Sequence, residues 1–362
     1  MADRAVHGGK VFQLARSLQR LPEDILDFSA SINPLGPPPS LKSAILDSFD
    51  HVRYYPDLDQ APLALYLAGA HAVPPAQLVL ANGASEALDM AVRHSQARRV
   101  IVLDPAFSEY RSVARRNNRH ILALPLNPYF AVPWADLLRY AHDGDIVILN
   151  NPHNPSGVTA YPDEWANGLR SLQAKGVLIV IDEAFLSFLP DSDALSWMQH
   201  AAEPKSRLVV VRSLTKFYAI PGLRLGYAVG DSDWVNAIHA QRDPWSVNHL
   251  AQVAGLAALT DEAFNQRTRR WLEEAQCQVQ SLWPGSLPAT VSFSPVNFFT
   301  VTWPTEDMAY RLAAELRHQG ILVRENQGFS HWPTSAWRIA LRHLNENQHL
   351  YDTVVKLFRQ IL

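Results

Sequence analysis

Residues 212–227 read Arg-Ser-Leu-Thr-Lys-Phe-Tyr-Ala-Ile-Pro-Gly-Leu-Arg-Leu-Gly-Tyr and follow directly on the apolar run Arg207–Val211. A short, continuous run rich in Val and Leu suits a strand buried on both faces, the habit of a parallel sheet covered by helices. Lys216 therefore lies just past a buried strand, with Ser213 three residues before it and Arg224 eight after. A lysine among apolar neighbours gives up its proton more readily and can attack a carbonyl. Taken alone, a surface lysine beside a serine is the plainer reading. The Ser-x-x-Lys spacing of penicillin-binding enzymes does not apply, because the Ser-Asp-Asn and Lys-Thr-Gly tripeptides that accompany it are missing.

Working outward, four similar runs precede this one: Gln77–Leu80, Val100–Leu103, Asp145–Leu149 and Val177–Ile181. Between them Ser85–Ser95, Glu109–Asn117 and Asp163–Lys175 have helical spacing, so the pattern predicts an α/β domain with a mostly parallel sheet. Ligands of such sheets bind beyond the carboxyl ends of the strands. Those ends carry Asn82-Gly83-Ala84-Ser85-Glu86, Asp104-Pro105-Ala106-Phe107, Asn150-Asn151-Pro152-His153-Asn154-Pro155 and Asp182-Glu183-Ala184-Phe185. From Asn248 the pattern changes to long helices, Leu250–Leu259 and Asp261–Leu282. A strand Asn297–Thr302, a helix Thr305–Gln319 and strands near Ile321 and Arg338 follow. The expected parts are an amino-terminal arm, 1–45, sharing a small domain; a large α/β domain, 46–247; and a small α+β domain, 248–362.

Composition narrows the function. Of 362 residues, 32 are Lys or Arg and 35 Asp or Glu, a net charge of -3 that offers no basic footprint for nucleic acid. The single cysteine, Cys277, excludes an internal disulfide and a cysteine-based metal cluster, so no metal is expected. With no apolar run at the amino terminus and none long enough to span a bilayer, the expectation is a cytoplasmic protein with no membrane partner.

The strand ends are chemically diverse. Gly83-Ala84-Ser85 opens a helix directly after a strand, where free N–H groups and the positive helix end can hold a phosphate; Ser213 and Arg224 can add a hydroxyl and a guanidinium. Asp182 ends an apolar strand, and a buried carboxylate needs a cation or caps the next helix. Asn154 sits in a proline-stiffened turn, and Phe107 is either a stacking ring or core.

Taken together, these ends resemble the fold-type-I pyridoxal-phosphate enzymes of the aminotransferase class I/II group, over essentially the whole chain, most specifically in Ser213–Tyr227 and Asn151–Gly157. The resemblance implies an α/β fold-type-I architecture, a mostly parallel central sheet with a smaller α+β domain, and pyridoxal 5'-phosphate as cofactor. It implies that Lys216 binds the cofactor covalently, that Asp182 pairs with the pyridine nitrogen and that Asn154 meets the ring hydroxyl. Gly83, Ala84, Ser85, Ser213 and Arg224 would hold the phosphate and Phe107 would stack on the ring. Tyr55, in Tyr54-Tyr55-Pro56-Asp57, would reach the phosphate of a neighbouring subunit, so a homodimer is implied. One departure stands out: Phe185 replaces a tyrosine that in many relatives also reaches the ring hydroxyl, leaving Asn154 alone or with Tyr218.

Within the group the chain is similar to threonine-phosphate decarboxylases of cobalamin synthesis and to histidinol-phosphate aminotransferases. The former fit better through His7-Gly8-Gly9, Asp27–Gly36 and Thr215–Gly222. The likeness implies a small phosphorylated amino acid as substrate, bound by His7, Gly9, Asn33, Arg324, Arg338 and Arg342. Arg338 and Arg342 are four apart and on an extended strand would share a face, two cations suited to two anions. Decarboxylation is expected, with transamination the alternative. A non-catalytic, cofactor-binding regulator is the reading of another class. Its DNA-binding domain would precede a pattern that here already begins by His7.

Overall fold

The structure, a computed structural model, describes residues 7–285, 287–326 and 329–361. In chain order its strands are β1 Leu26–Phe28, β2 Leu78–Ala81, β3 Arg99–Asp104, β4 His120–Pro125, β5 Ile146–Asn150 and β6 Leu178–Asp182. They continue with β7 Leu208–Ser213, β8 Gly226–Val229, β9 Thr290–Ser292, β10 Phe298–Thr302, β11 Ile321–Glu325 and β12 Ala336–Ala340. Seven form one sheet in the order β2-β8-β7-β6-β5-β3-β4, and five form a second in the order β1-β11-β12-β10-β9.

The large sheet is parallel from β7 through β4, which explains the continuous apolar runs. Successive residues face two different apolar layers. Ile101, Val147, Ile179, Ile181 and Val210 enter one, while Val100, Val102, Ile146, Ile148, Val180, Val209 and Val211 enter the other. Neither face meets water, so neither carries polar alternation.

Two strands of this sheet escape the sequence pattern. β4 is a partly exposed edge. β8 lies inside the stretch that decided the fold, antiparallel to both β7 and β2. Its register sets Ser213 opposite Gly226 and Ala81 opposite Gly226, so the chain doubles back and brings Arg224 beside the end of β7 and the turn after β2.

In the smaller sheet β1, from the amino-terminal arm, pairs in parallel with β11. The proposed boundary at residue 45 falls inside the helix Pro39–Ser48, which packs on the helix His249–Leu259, so the arm and the carboxyl-terminal helices interlock. Among the described residues no helix is long and apolar enough to cross a membrane. No cluster of three or more His, Cys, Asp or Glu that would hold a metal occurs among them.

Candidate active site

Lys216 follows β7 in a tight turn, half-buried, its backbone carbonyl accepting from the Asn33 amide at 3.0 Å. Its Nζ lies 4.9 Å from the centre of the Phe185 ring. Burial, with Arg338 and Arg224 nearby, outweighs the attraction of Asp182 and brings the amine down to about 8. Asp182, at the end of β6, is buried and neighbours Asn150 in the sheet register. Burial pushes its carboxyl up; Lys216, a hydrogen bond from Tyr110 Oη to Oδ2 at 2.8 Å and one from the Ala184 amide to Oδ1 at 3.0 Å oppose this.

The turn after β2 forms a cradle. Gly83 has φ +81°, where L side chains are strained, and a Cβ there would meet Arg224 Nη2 at 2.6 Å. Behind it the helix Ala84–Arg93 opens with Ala84 and Ser85 in its first turn. Arg224 donates to the carbonyls of Asn82 and Pro221 at 3.4 and 3.3 Å. Ser213 Oγ lies 2.7 Å from Thr215 Oγ1, a second hydroxyl that the spacing argument passed over. N–H groups, a guanidinium and two hydroxyls thus gather at one helix N-terminus.

Asn154 is buried beyond β5, its backbone N–H donating to Asn150 Oδ1 at 2.7 Å. Its side-chain oxygen accepts from Arg338 Nη1 at 2.6 Å, and Arg338 Nη2 donates to the Ser29 carbonyl at 3.0 Å. Arg324 and Arg338 stand directly opposite each other on β11 and β12, both buried. Burial lowers both guanidinium groups, Arg324 to about 10 and Arg338 to about 9, with Arg324 adding to the effect on Arg338. Like charges directly opposite in a ladder are destabilising, a debt that an anion relieves. The amino-terminal arm joins them: the Gly9 amide donates to Ser29 Oγ at 2.9 Å, and His7 lies 5.7 Å from the Phe107 ring and 3.4 Å from Glu109. A cleft of about 440 Å³ opens here between His7, Lys10, Ser29, Arg317 and Arg324.

Two expected substrate contacts sit differently. Asn33 uses its side-chain amide within the fold, donating to the Phe217 carbonyl at 2.8 Å and Thr268 Oγ1 at 2.9 Å while Oδ1 accepts from Leu35. It clamps the Lys216 turn against the long helix Glu262–Leu282. Arg342 does not share a strand face with Arg338, because β12 ends at Ala340. Its guanidinium is held by Glu346 at 3.0 and 3.2 Å and by the Asp27 carbonyl at 3.3 Å.

Phe107 precedes the helix Ser108–Arg116 and lies edge-on to Tyr110, with ring centres 5.7 Å apart. Phe185 packs against Phe298, and Tyr218 stacks on Phe264 among Tyr66, Tyr227 and Arg269. Tyr55 is 78% exposed and stacks on Trp245 at 4.4 Å. Two contributors were missed. Tyr110 is signalled only by its place one turn after Phe107, and Ser29 holds Arg338 through its backbone carbonyl, which no side-chain motif announces.

A lysine whose amine is brought down to about 8, a buried carboxylate in reach of its charge and a phosphate cradle, all on one rim of this α/β sheet, define a pyridoxal-phosphate enzyme of fold type I. The chain belongs to the family of class I and II aminotransferases, whose family model matches residues 23–354. It is 33% identical over 356 residues to the threonine-phosphate decarboxylase of Salmonella typhimurium (strain LT2), covering 96% of this chain and 94% of that one. To the histidinol-phosphate aminotransferase of Halorubrum lacusprofundi it is 31% identical over 332 residues, 90% of this chain and 87% of the relative. The histidinol-phosphate aminotransferase of Sinorhizobium meliloti, solved in complex with pyridoxal-5'-phosphate, superposes with a TM-score of 0.85 at 19% identity, covering 100% of both chains.

The cofactor is pyridoxal phosphate. The residues present fit it: Gly83 leaves open a space that any Cβ would fill, and Asp182 is a buried carboxylate with lone pairs to spare. Lys216 would hold the cofactor covalently, Asp182 would keep a proton on its ring nitrogen, and the Gly83–Ser85 turn with Ser213 and Arg224 would take its phosphate. When bound, it supplies an electron sink for the substrate's α-carbon.

Proposed function

We propose that this enzyme decarboxylates L-threonine O-3-phosphate to (R)-1-aminopropan-2-ol O-2-phosphate and CO2, a step of cobalamin (vitamin B12) biosynthesis. The observation that carries the proposal is the facing pair Arg324 and Arg338, two buried cations beside the cofactor rim. The substrate brings two anions, a carboxylate and a phosphate, and guanidinium groups bind both in paired hydrogen bonds. A guanidinium grip on the carboxylate would hold that group in place while the electron sink supplied by the cofactor takes up the electrons of its bond to the α-carbon. At about 8, the Lys216 amine is mostly protonated at neutral pH, which suits it to return a proton to the same carbon after CO2 departs. The 33% identity to a threonine-phosphate decarboxylase supports the same choice.

The working unit proposed is a cytoplasmic homodimer. Tyr55 and its exposed neighbours Phe49, Val52, Tyr54 and Leu58 form an apolar surface that a second copy would cover, with Tyr55 serving the partner's cofactor phosphate. The second reading, histidinol-phosphate transamination, draws on the 31% identical relative. The deciding experiment offers the enzyme threonine phosphate, serine phosphate, or histidinol phosphate with 2-oxoglutarate, and records CO2 and glutamate. CO2 from threonine phosphate is expected. Steady glutamate formation without CO2 would replace decarboxylation by transamination.

A further inference from the structure

We propose that Tyr110 is a positioning residue for the cofactor, its hydroxyl holding the Asp182 carboxylate in place and in its anionic form. Tyr110 sits one turn into the helix Ser108–Arg116, buried, with its Oη 2.8 Å from Asp182 Oδ2. An ionised carboxylate only accepts hydrogen bonds, so the phenol is the donor. With Ala184 on Oδ1, two of about four acceptor positions on Asp182 are filled, and Tyr110 decides which remain for a ring nitrogen.

The energetics point the same way. Burial works against the anion, and the strongest opposing influence is the charge of Lys216, followed by the Tyr110 hydrogen bond. Once Lys216 is linked to a carbonyl carbon it carries no free ammonium, and the Tyr110 bond becomes the chief protein support of the charge. The phenol keeps its own proton, because burial and then Asp182 push it well above its ordinary value. The inference rests on the family's cofactor and not on which substrate bond breaks, so it stands for a decarboxylase or an aminotransferase.

The test uses the holoenzyme carrying Tyr110→Phe, which keeps the ring edge-on to Phe107 and removes one oxygen. Hydrogen bonds to charged groups support a roughly tenfold rise in the cofactor dissociation constant. Asp182, made more basic, draws the shared proton from the ring nitrogen. The ring then withdraws fewer electrons, and the pH midpoint of the visible absorbance moves upward. In an Asp182→Asn background the same change should leave the midpoint where it is. An unchanged dissociation constant and midpoint in folded Tyr110→Phe would overturn the proposal, as would a full effect persisting beside Asp182→Asn. Should Tyr110→Phe not fold, a fluorotyrosine at position 110 has nearly the same shape and a more acidic hydroxyl. It should move the midpoint downward, and an unmoved midpoint again overturns the idea.

Discussion

The rims of the two sheets are built on different plans. On the large sheet, Asn150, Asp182 and Val211 are neighbours through backbone register, so each functional side chain lies within a few residues of a strand end. The donors and acceptors there are matched before any ligand arrives: Tyr110 and Ala184 on Asp182, Thr215 on Ser213. On the small sheet the two arginines oppose each other, and Arg338 depends on an acceptor 309 residues away, Ser29, while its Nε finds no hydrogen-bond partner among the described residues. The first rim suits a resident group that never leaves. The second keeps buried charge under tension, which suits an anion that comes and goes.

The sharpest break of this contrast is Lys216→Ala, expected to lower catalytic efficiency by roughly a thousandfold or more and to abolish borohydride trapping of the cofactor. The wild-type lysine gives a pH test with a defined sign. With the amine brought down to about 8, the attacking free base grows about tenfold per pH unit below that value and levels above it. Stopped-flow capture of pyridoxal phosphate by the apoprotein should follow that curve. A capture rate still climbing tenfold per unit between pH 8.5 and about 10 would mean that the rim leaves Lys216 as a solvent lysine.

Next in size is Arg338→Ala. Truncating one partner of a desolvated charged pair costs about 2–5 kcal/mol, so kcat/KM for threonine phosphate should fall roughly 30-fold or more. Because Arg338 also holds Asn154 Oδ1, cofactor affinity should weaken, but by less. Steady-state kinetics beside cofactor titration reads both. Equal losses would show that the two rims act as one site rather than two.

What could be read in advance follows the same division. The cofactor rim was legible because parallel strands buried on both faces leave continuous apolar runs, and ligand groups sit just beyond them. β8 was not, since Gly226-Tyr227-Ala228-Val229 holds a single branched aliphatic residue and so makes no Val, Ile and Leu run, although its reversal is what returns Arg224 to Gly83. On the small-sheet rim, Arg324 and Arg338 are legible as charged side chains on strands, but the Ser29 carbonyl that holds Arg338 has no sequence signature. Asn33 is the opposite case. Its local motif suggested a ligand contact, while its amide is consumed by Phe217 and Thr268, partners fixed only by tertiary packing.

The smallest expected effect tests the spacing argument for Arg342. Were positions 338 to 342 one extended strand, both arginines would face the substrate and Arg342→Ala would match Arg338→Ala. The strand stops at Ala340, and Arg342 lies across Glu346 and the Asp27 carbonyl, over the Phe28 ring at 5.7 Å. Its role here is to brace the segment Asp27–Ser29, whose last carbonyl holds Arg338. A partly exposed pair of this kind is worth about 0–1 kcal/mol, so Arg342→Ala should change KM by no more than about fivefold and leave kcat alone. Glu346→Gln separates the two roles. If Arg342 braces, loosening its carboxylate partner gives the same mild rise in KM; if Arg342 leaves Glu346 to grip a substrate anion, the freed guanidinium lowers KM, and Arg342 joins the substrate rim after all.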